Sequence, residues 1–262
     1  MQKKKREVPG IQSVEVGGRL LAALVSLPEA QTLTNLAKAA GMPPTKARRY
    51  LVSYIRVGLA RQDQQTGQYD LGPLALQMGL ASLGRLDIVK RTSPVLSQIR
   101  DRTGETVALS VWSGSAPTFV SMEDSGAPVA LVARIGIQLP LLTTATGLVF
   151  AAFLPERLIG GLIEQEKKRL PKRIFSEVVA SHGSTDGLLS HIRHSGYADS
   201  ESVFQPGIRG ISAPIFNSRS EITAAITILM QHRRTSHHVA PMLAVLKEAT
   251  SRLSKEFGAT DL

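Results

Sequence analysis

Residues 33–51 read LTNLAKAAGMPPTKARRYL, and this stretch decides how the first part of the chain folds. Thr32 or Thr34 can cap a short helix, TNLAKAA, whose Leu36, Ala39 and Ala40 fall on one side. Gly41 stops it, because helices commonly end on a left-handed residue and glycine adopts that conformation without strain. Met42-Pro43-Pro44 then turns the chain, and a proline at the first helical position starts another helix at once. In that helix, residues 45–57, the 3.6-residue period turns Ala47, Tyr50, Leu51, Tyr54 and Ile55 inward. Lys46, Arg48, Arg49, Ser53 and Arg56 are left on the outer side, and Gly58 ends the helix.

Upstream, residues 14–27 (VEVGGRLLAALVSL) place Val16, Leu20, Leu24 and Leu27 at helical spacing, weakened at the start by Gly17 and Gly18 and ended by Pro28. Downstream the period changes. LARQD (59–63) and QYDL (68–71) flank the loop QQTG, which reads as a hairpin. Helix, short helix, glycine turn, basic helix and hairpin in this order spell a winged helix-turn-helix over residues 1–72, closed by Gly72-Pro73. Residues 73–86 continue as a helix with no core of its own, a linker. Its Leu74, Leu76, Met78, Leu80 and Leu83 present apolar surface on more than one side, so a second copy of the chain is the expected cover, the alternative being the chain's own following domain.

The remainder, residues 87–262, alternates differently. A helix over 87–102, interrupted near its start by Ser93-Pro94, leads into strand-like ETVALSVW, APTFVSME and PVALVAR (128–134). Helices follow at 143–153, after Pro155 and at 185–194. Then come three more strand candidates, YADSESVF, IRGISAPIF and EITAAITILM, and a final amphipathic helix over 237–257. Strands, helices, strands again and a helix at each end predict an α+β sensor domain around an antiparallel sheet.

Charge supports a division of labour. Residues 1–72 hold 11 Lys and Arg against 5 acids, and the rest hold 20 against 16. A basic small domain beside a near-neutral larger one points to a polyanion partner for the first. The longest apolar runs, such as 148–154, fall far short of the roughly 20 residues of a membrane helix. Lys3 to Arg6 precede no apolar signal core, so the chain is expected to work in the cytoplasm, off the membrane. Without cysteine there is no disulfide or thiolate chemistry.

Enzymatic signatures are missing too: there is no G-x-S-x-G, H-E-x-x-H or Walker-type segment. His191 and His194 share a helix face near His182, a spacing that reads as surface histidines rather than a metal site, and His237-His238 as a local pair. No catalytic residue, metal or cofactor is expected. Trp112 and Phe119 stand too far apart to stack RNA bases.

Four stretches in this order resemble the IclR family of bacterial transcription regulators: LTNLAKAAGMPPTKARRYL, VGLARQDQQTGQYDLGP, GIQLPLLTTATGLVFAAFLPE and GYADSESVFQPGIRGISAPIF. The resemblance implies a winged-helix domain, a linker helix, a GAF-like effector-binding domain, and dimers that often pair into tetramers. Three departures stand out. Gly147-Leu148 replaces the usual Gly-Lys, Ser202-Val203 replaces paired acids with Glu201 one place earlier, and Gly210 replaces a small polar residue. The first, as LPLLTTATGLVFAAF, is similar to a subgroup linked to aromatic-acid breakdown.

The expected activity is therefore that of a repressor or activator that binds double-stranded operator DNA under control of a small organic acid. The alternatives are an effector-independent DNA binder and an enzyme carrying a regulatory winged helix. Recognition helices present their first turns to the major groove, which here means Pro44, Thr45, Lys46, Arg48 and Arg49. Arg49 matches the family's usual arginine, whereas Thr45 can equally cap the helix. Arg56 and, in the wing, Arg61 suit phosphate contacts.

For the effector, the N–H groups and threonines where a helix starts near Thr143, Thr144, Ala145, Thr146 and Gly147 suit a carboxylate. The resemblance adds Ser200 or Glu201, Gly210, Thr227 and Leu229. Gly210 and Leu229, replacing a larger residue and a frequent serine, are expected to make the cavity roomy and apolar enough for an aromatic ring. The opposing reading is that the threonines only cap the helix and the apolar residues are core.

Overall fold

The computed structural model describes residues 10–27, 29–126, 134–201, 207–231 and 239–260. The chain forms two units, Met1–Arg85 and Leu86–Leu262. The sequence-expected strand at 128–134 lies, except for Arg134, outside the described residues, as do residues 202–204 of another and His237-His238.

In the first unit, α1 (Gln12–Ser26), α2 (Leu33–Ala39) and α3 (Pro44–Arg56) surround a core in which Leu20, Leu36, Ala47 and Leu51 are fully buried. Thr32 is the cap of α2, accepting the Asn35 N–H at 3.3 Å, and Gly41 takes the left-handed conformation at φ +62°. Gly17 has a packing role in α1. It lies buried where a Cβ would strike the Tyr54 hydroxyl and the Tyr50 ring, so it lets α1 and α3 approach. Tyr50 and Tyr54 are consequently half-buried at the rim, with ring centroids 6.3 Å apart. Ile55, expected inside, is 38% exposed, because the inward stripe of α3 narrows to Ala47 and Leu51.

β1 (Ala60–Gln62) and β2 (Tyr69–Leu71) form the antiparallel wing, and Gln31 pairs with Tyr69 as a third rung. Asp63 closes the wing loop, accepting the N–H groups of Gln65 and Thr66 at 2.9 and 2.7 Å. α4 (Pro73–Gly84) follows, with Leu76, Met78 and Leu80 each at least 58% exposed.

The second unit is built on a five-stranded antiparallel sheet. Its elements are α5 (Asp87–Thr103), β3 (Thr106–Trp112), β4 (Pro117–Glu123), α6 (Ala145–Phe153), α7 (Glu156–Arg169), α8 (Lys172–Val179), α9 (Thr185–Ser195), β5 (Ala198–Glu201), β6 (Ile208–Phe216), β7 (Ile222–Gln231) and α10 (Val239–Glu256). The strand order is β4-β3-β7-β6-β5.

Alternation sorts the side chains. Val107, Leu109, Ile211, Ala213, Ile215, Ala224, Ile226 and Ile228 face α5 and α10. The opposite face receives α6, whose residues 145–152 are all buried between the sheet and the α7 and α9 side. Pro94 does not interrupt α5. The carbonyl it leaves without an N–H partner belongs to exposed Lys90, where water can satisfy it.

Candidate functional site

The first candidate is the outer face of α3. Pro43 is the N-cap residue and makes no side-chain hydrogen bond, and Pro44 occupies the first helical position. Thr45 therefore does not cap the helix, and its side chain stays on the exposed first turn with Pro44 and Lys46. Arg48, Arg49 and Arg56 are exposed as well, and no carboxylate pairs with Lys46 or these three arginines among the described residues. Unneutralised cations on one helix face are what a phosphate-lined groove attracts.

Arg61 differs. Its guanidinium donates to Asp70 at 2.6 Å across the wing, and that hydrogen bond holds the Asp70 carboxyl below the ordinary carboxylate range. Arg61 thus stands on the wing as half of an ion pair rather than as a free cation.

The second candidate is a cavity between the sheet and the start of α6, lined by Phe119, Leu139, Thr144, Ala145, Thr146, Ser200, Ile208, Gly210, Thr227 and Leu229. Of the residues expected to meet an effector, Thr144, Ala145, Thr146, Ser200, Gly210, Thr227 and Leu229 are brought together here, and Gly147 and Glu201 are not. Gly147 serves packing, since a Cβ there would overlap the Pro140 carbonyl and the Leu141 backbone. Glu201 is exposed on the edge strand β5.

Thr144 does cap α6, accepting the Gly147 N–H at 3.0 Å while its hydroxyl donates to the Pro140 carbonyl at 2.8 Å. The N–H groups of Ala145 and Thr146, at the positive end of the helix, find no acceptor among the described residues. Thr146 caps nothing. Its Oγ lies 2.7 Å from Thr227 Oγ, which in turn donates to Ser212 Oγ at 2.9 Å.

The cavity volume is about 30 Å³. A Cβ on Gly210 would lie 3.3 Å from Ala145 Cβ, 3.5 Å from Thr227 Cγ2 and 3.9 Å from Leu229 Cδ2, so the surrounding side chains, Ala145 foremost, already close in on the space the glycine leaves. The cavity is smaller than the sequence leads one to expect; a dry cavity that admits benzene is about 150 Å³.

Sequence reasoning missed Phe119, Leu139 and Ile208 as lining residues. Strand alternation could have placed Ile208 on the face of Gly210. It also missed Glu166 of α7, whose two carboxylate oxygens accept the N–H groups of Leu141 and Leu142 at 2.8 and 3.0 Å. Glu166 thereby holds the segment that carries Leu139 and Thr144. His182 and His191 lie 4.7 Å apart between ring centroids, and no group of three or more metal-ligating side chains forms among the described residues. None of the described helices is long and apolar enough to cross a membrane.

Comparison with known proteins covers both units of the chain. Residues 13–64 match the IclR helix-turn-helix domain and residues 80–255 the bacterial transcriptional regulator IclR C-terminal domain. The HTH-type transcriptional regulator XynR of Escherichia coli is 25% identical over 96% of this chain and 99% of its own. Pseudomonas aeruginosa HmgR, a solved structure, is 35% identical, covers 96% of this chain and 100% of its own, and superposes with a TM-score of 0.59. An IclR homologue of Microbacterium hydrocarbonoxydans, solved with 4-hydroxybenzoate, is 20% identical, covers 94% of this chain and 99% of its own, and has a TM-score of 0.67. With both domain models matched in order along most of its length, this chain belongs to the IclR family of DNA-binding transcription regulators.

Proposed function

We propose that α3 is the recognition helix of this regulator, that two or more copies read paired half-sites, and that a small organic acid bound beside Thr146 controls the outcome. The observation that carries the DNA reading is the exposed, unpaired set Lys46, Arg48, Arg49 and Arg56 on one helix, with Pro44 and Thr45 at its first turn. Arg49 reads base edges, Arg56 meets phosphate, and Arg61 reaches phosphate only by loosening its pair with Asp70. The tests are operator titrations at two salt concentrations. Arg49→Ala is expected to cost about 1–3 kcal/mol on the operator, and Arg56→Ala to lower the salt slope on all sequences alike. Unchanged operator affinity in a folded Arg49→Ala protein removes the recognition-helix assignment.

The oligomer follows from α4. Leu76, Met78 and Leu80 are exposed together on a short helix, and a two-fold partner gives them cover while supplying the second reading head. DNA as the target also sets the place of action in the cytoplasm.

The effector reading rests on the meeting of free helix-start N–H groups with buried threonines in one apolar-walled cavity. An aromatic acid, the kind of ligand held by the Microbacterium homologue, enters when Leu229 and Phe119 move aside. Thermal shifts with benzoate-type and short acids test it, since a ligand at 100 times its Kd adds about 2.7 kcal/mol. No shift with any acid overturns the effector reading.

A further inference from the structure

The hydroxyl groups around the cavity have one property in common. Each hydroxyl owns a single proton and can accept through two lone pairs. Thr144 gives its proton to the Pro140 carbonyl, and Ser200 gives its own to the Glu201 carbonyl at 3.1 Å. Thr227 gives its proton to Ser212. The 2.7 Å contact between Thr146 and Thr227 can then be made only with Thr146 as donor. Among the described residues, every hydroxyl that lines the cavity is therefore already committed as a donor and can offer a ligand only lone pairs. The donors left among the described lining residues are the N–H groups of Ala145 and Thr146 at the start of α6.

We infer that the cavity selects a carboxylic acid that carries its own hydroxyl donor beside the carboxylate, and that Ser212 sets this preference without touching the ligand. The inference rests on the effector reading above. The carboxylate accepts from the helix-start N–H groups, and the neighbouring hydroxyl donates to Thr146 Oγ. The N–H and Oγ of one threonine lie only about 3 Å apart by covalent geometry, so the two ligand groups belong on adjacent carbons or ortho ring positions. A 2-oxo acid presents a second acceptor to a lone pair, and an unsubstituted acid presents nothing.

Ser212 is fully buried, is absent from the cavity lining, and accepts the Thr227 proton. It thereby fixes the direction of the relay Thr146 to Thr227 to Ser212. In Ser212→Ala that acceptor is gone, Thr227 donates back to Thr146, and the Thr146 proton becomes free to face the cavity. The structure thus assigns Ser212 as a positioning residue whose loss changes which ligand is preferred.

Titration calorimetry of the full-length protein with matched acids tests this: lactate, pyruvate and propionate; mandelate, benzoylformate and phenylacetate; salicylate and benzoate. The hydroxy member of each set is expected to bind about tenfold tighter or better than its oxo or unsubstituted partner. Ser212→Ala is expected to bring the oxo acid level with the hydroxy acid or ahead of it. Thr146→Val is expected to make hydroxy and unsubstituted acids equal. Equal binding of all classes by the natural chain overturns the inference and leaves the effector reading standing. A hydroxy preference that survives unchanged in folded Ser212→Ala overturns the role of Ser212. Absence of binding by every acid overturns the effector reading and the inference with it.

Discussion

Replacing Glu166 by alanine should loosen the effector cavity from outside it. The carboxylate accepts two successive backbone N–H groups, of Leu141 and Leu142, at 2.8 and 3.0 Å. Leu141 and Leu142 are themselves buried at 3% and 1% exposure, so these N–H groups have little water to turn to. A hydrogen bond to a charged group contributes about 1.5–3 kcal/mol. Glu166 is only partly buried, which lowers that figure, and the better helix propensity of alanine offsets a few tenths of the cost. The net cost should be about 2 kcal/mol for the pair, or about 4–8 °C in the melting temperature of a unit this size.

Glu166→Gln, which keeps one carbonyl acceptor and brings an amide donor against the other N–H, should lose about half as much or more. Because the held segment carries Leu139 and Thr144 into the cavity, acid affinity should fall on the order of tenfold in Glu166→Ala. Thermal melting and calorimetry read the two effects separately. A Glu166→Ala protein that melts within about 1 °C of the natural chain would refute the reasoning.

Gly17→Ala should destabilise the first unit by about 1–3 kcal/mol, because its Cβ meets the two tyrosines of α3; denaturant melts followed by tyrosine fluorescence measure it. Gly147→Ala should cost more and should abolish any acid-induced thermal shift, since the obstacle there is backbone rather than a movable ring. Leu76→Glu with Leu80→Glu should shift sedimentation toward monomer and weaken operator binding, whereas an unchanged oligomer would place the contact elsewhere. Asp70 has its folded pKa lowered, chiefly by the Arg61 hydrogen bond, so its contribution is present above the ordinary carboxylate value and fades as pH falls through the folded value. Asp70→Asn should therefore flatten the acid limb below about pH 4, by a small amount because the pair is largely exposed.

The elements that local chemistry controls were legible in the chain itself. Gly41, Pro44 and Gly58 mark the ends of α2 and α3, and the short apolar run IRGISAPIF before Asn217-Ser218 marks a strand of the sheet. α8 escaped notice because an eight-residue segment such as KRIFSEVV offers too few turns for a period to show. The continuity of α5 through Pro94 depends on solvent reaching one carbonyl, which neither composition nor spacing records. At the cavity, Thr146 and Thr227 could be named, but their contact spans 81 positions of sequence. Glu166 could not be named at all, because its partners are backbone N–H groups, which carry no residue identity. The apolar character of Leu229 is plain in the sequence, yet only packing shows how closely Ala145, Thr227 and Leu229 gather around Gly210.

The hydroxyl relay has a consequence for how such proteins diverge. Its terminus, Ser212, is not among the lining residues, so under the proposed reading a single exchange there alters what the protein responds to while every residue in contact with the ligand stays the same. Two descendants with identical binding surfaces could thus come to answer different metabolites. Transplanting the lining alone from one to the other would leave their responses unexchanged, because the instruction resides one hydrogen bond beyond it.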